Sequence, residues 1–100
     1  MRELGDKFEE KVAKLLEATK TANSGAMFGD GDLQTKHFVI ECKYTTKDSK
    51  TISIKDNYIQ HVSKQAEMLN KEWAVVLGSP NHNGYALISL DTLAMLLDKL

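Results

Sequence analysis

Along the first stretch of the chain Leu4, Phe8, Val12, Leu15 and Leu16 recur at helical spacing, and charged residues fill most positions between them. Steps of three and four residues put these side chains on one stripe, so residues 3–20 are predicted to form an amphipathic helix. The pattern breaks at Thr21-Ala22-Asn23-Ser24-Gly25, which is turn chemistry, and Gly29-Asp30-Gly31-Asp32 is a second flexible stretch carrying two carboxylates. Residues 37–44 then alternate: Phe38, Ile40, Cys42 and Tyr44 fall on one side, and Val39, Glu41 and Lys43 on the other. Period two is the mark of a strand, here with one apolar face and one face bearing charges.

Residues 45–51 are polar and lysine-rich and read as a loop, followed at residues 51–54 by a short edge strand. A second helix is predicted from the stripe Ile59, Val62, Ala66, Leu69 and Trp73, with Asp56 or Asn57 as its cap. Residues 74–77 form a buried strand, 79–84 a turn and 85–88 a further strand. Leu93, Leu96, Leu97 and Leu100 mark a closing helix. Helix, β-hairpin, short strand, helix, two strands and helix predict one α/β (α+β) domain over residues 1–100, a mixed central sheet flanked by helices.

Composition narrows the class. With 42% apolar and 27% charged residues and a single proline, the chain reads as an ordinary globular domain. Neither a signal peptide nor a membrane span is expected from its opening residues, and a cytosolic setting follows by default. The single Cys42 cannot make an internal disulfide and has no second cysteine at zinc-ligand spacing. Net charge is −1, but its distribution is uneven: Lys36, Lys43, Lys47, Lys50, Lys55 and Lys64 stand against Glu41, Asp48 and Asp56 in the middle of the chain. That middle region is the one suited to face phosphate, with Lys36, Lys47, Lys50, Lys55 and Lys64 as candidate DNA contacts; an ordinary solvated surface is the alternative.

Glu41 and Lys43 are two positions apart on a strand, so they leave one face, with Cys42 between them pointing the other way. Asp32 lies at the start of the preceding arm, and a hairpin brings its carboxylate toward Glu41. Two convergent carboxylates suit Mg²⁺ or Mn²⁺, hard cations that prefer oxygen ligands and keep exchangeable waters. Such an ion acidifies water and neutralises charge developing on a phosphate, while Lys43 positions or deprotonates the nucleophile or stabilises the transition state as a fixed cation. Asp30, Asp32, Gln34 and Glu41 also match the ligand spacing of an EF-hand loop. That reading fails because Thr35 stands where the turn glycine belongs and a strand follows where a helix should begin. His37, His61 and His82 have no zinc-ligand spacing and read as surface or turn residues, while Cys42 and Trp73 read as core.

The joint pattern is more specific than any pair: Gly5-Asp6-Lys7-Phe8-Glu9, Ser24-Gly25, Gly31-Asp32, the approach Phe38-Val39-Ile40, then Glu41-Cys42-Lys43. In this the chain resembles the PD-(D/E)xK nuclease superfamily, and within it the archaeal Holliday junction resolvases and their phage counterparts. The resemblance implies a restriction-endonuclease-like core and magnesium-dependent cleavage of branched DNA. It makes Asp32 and Glu41 metal ligands, Lys43 the catalytic lysine and Glu9 a further metal-binding carboxylate; helical periodicity also favours Glu9 over Glu10, which lies almost opposite the apolar stripe. Gly31 replaces the proline usual before the aspartate, which leaves Asp30 as a rival to Asp32. For the glutamine expected on the second helix, spacing favours Gln60, whereas the helix face favours Gln65. The virus-type replication-repair nucleases, which cut flaps and other branched DNA, are similar too, and a non-catalytic DNA-binding subunit with the same fold is the competing class. Paired cuts in a junction require two active sites, hence a homodimer, with the leucine-rich residues 87–100 as interface or else as ordinary monomer core.

Overall fold

The computed structural model describes residues 2–20, 32–46 and 50–100, with the backbone alone for Arg2, Glu3 and Asp32. Helix α1 (Arg2–Leu16) leads into the short strand β1 (Thr19–Lys20), and β2 (Asp32–Gln34) turns into β3 (Phe38–Tyr44). Helix α2 (Asp56–Met68), strands β4 (Glu72–Ser79) and β5 (His82–Leu87) and helix α3 (Leu90–Asp98) complete the chain. The strands form one mixed sheet in the order β1-β2-β3-β4-β5. Only β3 and β4 run parallel, joined through α2, while the other neighbours are antiparallel. This is the expected α+β class with a mixed sheet, and among the described residues no helix is long and apolar enough to cross a membrane.

Alternation along the two central strands builds a core on each side of the sheet. Ile40, Cys42, Ala74 and Val76 pack with Phe8, Val12, Ala18 and Leu33 on the α1 side. Val39, Val75 and Leu77 pack with Val62 and Ala66 on the α2 side. Each large aliphatic or aromatic side chain so buried contributes about 1.5–3 kcal/mol. Close approach of α1 depends on Gly78, where an added Cβ would clash with the Phe8 ring. Cys42 is buried as expected, and Trp73 is half-buried against the α2-side core.

Several boundaries differ from the sequence expectation for identifiable reasons. Helix α1 stops at Leu16 rather than residue 20, because Glu17 takes a left-handed φ of 53°. Amide-to-carbonyl bonds from Glu17 to Lys14 and from Ala18 to Ala13 close the end as a Schellman motif, and β1 begins directly after it. The predicted stripe is therefore too broad: Phe8 and Val12 are buried, whereas Leu4, Leu15 and Leu16 are exposed. Helix α2 ends at Met68 in the same way, with Asn70 left-handed and Lys71 donating to the Ala66 carbonyl, so Trp73 belongs to β4 and Leu69 is only the cap. Lys55 occupies the N-cap without a side-chain bond, and Asp56, expected there, is the first helical residue.

Residues 51–55 are not a strand. Both edges of β3 are already taken by β2 and β4, and Ile52 and Ile54 pack onto the α2-side core instead. The third early strand is β1, which precedes the hairpin. The last hairpin turns at Pro80-Asn81, earlier than expected, with Gly84 at φ 138° within β5. Helix α3 is capped by Ser89, whose Oγ accepts the Thr92 amide, and Thr92 donates to Glu72 to tie the helix to the start of β4.

Candidate active site

Strand β3 sends Val39, Glu41 and Lys43 toward α2, and Val39 joins the α2-side core there. Glu41 follows in the same row, only 3% exposed, and Lys43 lies half-buried at the carboxyl end of the strand. A carboxylate placed so deep loses several kcal/mol of hydration unless its oxygens find partners. One does: Glu41 Oε1 lies 3.0 Å from Nδ1 of His61 on α2. The other, Oε2, is buried with no hydrogen-bond partner among the described residues. An ionised Glu41 requires the proton on His61 Nδ1, so the histidine fixes the carboxylate's orientation while its own ring remains 43% exposed.

One helical turn beyond His61, Gln65 is half-buried and its Oε1 is also buried without a partner among the described residues. Positions four apart share a helix face, so a carboxylate oxygen and an amide oxygen, both lacking donors, occur in the layer between β3 and α2. Buried oxygen acceptors of this kind are the ligand type a hard divalent cation prefers. Lys43 closes the row at the strand end, its Nζ 4.6 Å from the centroid of the Tyr58 ring, with Lys55 Nζ at 6.0 Å from the same ring. Tyr58 thus holds the Lys43 ammonium by cation–π attraction.

Asp32 lies directly opposite Glu41 in the β2–β3 register. Directly opposed Cα atoms in an antiparallel pair are about 4.5–5.5 Å apart. The Asp32 side chain, together with its rival Asp30 and with Lys47, lies outside the described residues. Glu9 is buried on α1, whose side chains pack on the other face of the sheet. There it pairs with Lys20 at 3.1 Å, and this hydrogen bond together with the Glu9 charge raises the Lys20 pKa above its ordinary value. The described residues contain no cluster of three acidic, histidine or cysteine side chains, so the structure does not gather Glu9 with Glu41 and His61.

Gln60 is exposed on α2, and its backbone carbonyl accepts a bond from Ser63. Of the two glutamines weighed in the sequence, Gln65 is the one turned inward. Lys50, Lys55 and Lys64 are exposed on the loop before α2 and on the helix itself. Lys36 is exposed at the β2–β3 turn, at the opposite end of β3 from Lys43, roughly 20 Å away at about 3.3 Å per residue. His61 is the residue the sequence did not single out: nothing in its spacing shows a helix position facing a strand residue twenty positions earlier. No protein-family model, no curated protein and no solved structure matches this chain.

Proposed function

We propose that this chain is a magnesium-dependent endonuclease that hydrolyses phosphodiester bonds in branched DNA, Holliday junctions above all, with Asp32, Glu41 and Lys43 at its centre. The observation that carries the reading is the buried Glu41, held by His61 through one oxygen and with no partner for the other among the described residues, two residues before Lys43. The sequence resemblance to PD-(D/E)xK nucleases supplies the substrate class. The order α1, hairpin, β3, α2 and parallel β4 is compatible with a restriction-endonuclease-like core.

Glu41 Oε2, Gln65 Oε1 and a carboxylate at position 32 would hold Mg²⁺, or Mn²⁺ in its place; Glu9 would need to reach past its Lys20 partner to join them. Such an ion, when bound, supplies Lewis acidity toward the phosphate and the attacking water. The chain's own residues do the rest. His61 keeps Glu41 in one orientation, so its unpartnered oxygen needs no reorganisation at the moment of binding. Lys43, braced on Tyr58, places a fixed positive charge where negative charge develops on the phosphate. Lys50, Lys55 and Lys64 contribute backbone contacts, as would Lys47. Lys36, at the far end of β3, would contact a different part of the substrate.

Junction cleavage in pairs requires two such centres, and a homodimer through α3 would provide them: Leu90, Leu93 and Leu97 are exposed on that helix, and Leu100 just beyond its end. The test is cleavage of four-way, flapped, linear and supercoiled DNA with magnesium and with chelator. Magnesium-dependent cutting of the junction is the expected result. Preference for flaps would move the chain toward the virus-type replication-repair nucleases. Binding without cutting under every condition would make it a non-catalytic DNA-binding subunit.

A further inference from the structure

Across the sheet from Glu41, a cavity of about 260 Å³ opens between α1 and the β4–β5 turn. Lys7, Lys11, Ser79 and His82 line it around the aromatic pair Phe8 and Tyr44, and no carboxylate of the described residues does so. Lys7 and Lys11 are one helical turn apart and share a face of α1, both exposed. Lys11 Nζ reaches within 3.4 Å of the Asn83 carbonyl, which leans it over the turn. Lys14 continues the row and, with Lys7 and Lys11, lines an adjoining groove.

The neutral side of the cavity is equally defined. Ser79 is buried, and its Oγ lies 2.6 Å from His82 Nδ1, so the imidazole is fixed at the rim with Nε2 as its remaining polar ring atom. The Phe8 and Tyr44 rings pack with centroids 5.4 Å apart and make an apolar wall. Two ammonium groups, a histidine nitrogen and an aromatic wall, with no opposing carboxylate, fit an anion attached to an apolar ring. A nucleotide phosphate with its sugar and base has that chemistry. The cavity also has a definite address: Tyr44 follows Lys43 and Ser79 ends β4, so it lies at the carboxyl ends of the two parallel strands.

We infer that this cavity is a second nucleotide-phosphate subsite, which grips the DNA backbone on the α1 side after it crosses the strand ends from the Glu41–Lys43 side. The DNA part of this assignment rests on the nuclease reading; the anion chemistry does not. Lys7, Lys11 and His82 are substrate-holding groups here, and the reacting phosphate stays on the other face.

Binding measured in chelator separates grip from cleavage. Thymidine 5′-monophosphate should shift the amide resonances of Ser79, His82 and Asn83 in the wild type, and Lys7→Gln/Lys11→Gln should abolish those shifts while keeping the melting temperature. The same double variant should bind branched DNA about tenfold more weakly, with the slope of log affinity against log salt reduced by about 1–2. Its magnesium-dependent cleavage rate at saturating DNA should be retained, and Lys99→Gln should change none of these quantities. Equal binding of inorganic phosphate and the nucleotide would overturn the nucleotide assignment. Unchanged DNA affinity and salt slope in the double variant would overturn the subsite even if the protein proves to be a nuclease. Nucleotide shifts at Ser79 and His82 in a protein that neither binds nor cuts DNA would support the anion site and overturn the nuclease reading instead.

Discussion

Glu41 is costly where it stands: a buried carboxylate with one oxygen bonded to His61 and the other without a partner among the described residues. Stability alone would favour a neutral residue at that position, which is the pattern of a group retained for what it binds. Glu41→Gln keeps the shape and an acceptor for His61 while removing the buried charge. Its metal-free stability in urea denaturation should equal or exceed that of the wild type by about 1 kcal/mol. A loss of 3 kcal/mol or more, of the size seen when a buried ion pair is broken, would make the Glu41–His61 pair structural. Lys43→Ala should lower turnover at saturating DNA by roughly a hundredfold or more with little change in affinity, because a fixed cation at the reacting phosphate acts mainly in the transition state. Lys50→Ala should weaken binding and spare turnover; single-turnover kinetics separate the two. The shared face of Glu41 and Lys43 was legible in the sequence because strand alternation fixes it without tertiary information. His61 was not, since its role depends on how α2 is rotated against β3. Between Gln60 and Gln65 the helix-face argument agrees with the observed burial, while the spacing implied by the sequence resemblance points to the exposed residue.

At the scale of elements, the sequence pattern located the three described helices and the central strands, and missed chiefly where they stop. Glu17 and Asn70 end their helices by taking left-handed φ values, and neither position carries the glycine that usually announces such an end. Residues 51–55 have strand-like alternation, yet no free edge of β3 is left to accept them. That fact belongs to the assembled sheet and not to the segment. Packing of α1 brings the Phe8 ring directly over Gly78. Gly78→Ala should destabilise the domain by about 1–3 kcal/mol through overpacking, measured by thermal or urea unfolding. Phe8→Leu should relieve much of that loss when combined with it; additive losses in the double variant would show that the two positions do not share this contact.

The whole molecule has two kinds of surface left over by its own packing. One is the lysine row of α1 beside the β4–β5 turn, and the other is the leucine face of α3, where Leu90 is 80% and Leu97 is 58% exposed. The sequence stripe of leucines was legible, but whether it covered the chain's own sheet or faced outward depended on how α3 docks. In the structure Thr92 and Ile88 face the body, and most of the leucines do not. Leu97→Glu should therefore leave the monomer folded and, if α3 is the dimer interface, convert a dimer to a monomer by light scattering, with junctions nicked on one strand instead of cut in pairs. A wild-type monomer that makes paired cuts without associating on DNA would remove the dimer while leaving the proposed metal-nuclease reading standing.

Everything turns on whether Glu41 serves a reaction. The most direct measurement is the single-turnover rate of cleavage of a labelled four-way junction in magnesium, at saturating protein, for the wild type and for Glu41→Gln side by side. The wild type should cut and stop cutting in chelator. The folded variant should still bind the junction but cut at least about a thousandfold more slowly, a loss of about 4 kcal/mol of transition-state stabilisation. Cleavage by Glu41→Gln at the wild-type rate would contradict the assignment of this buried carboxylate as the catalytic centre.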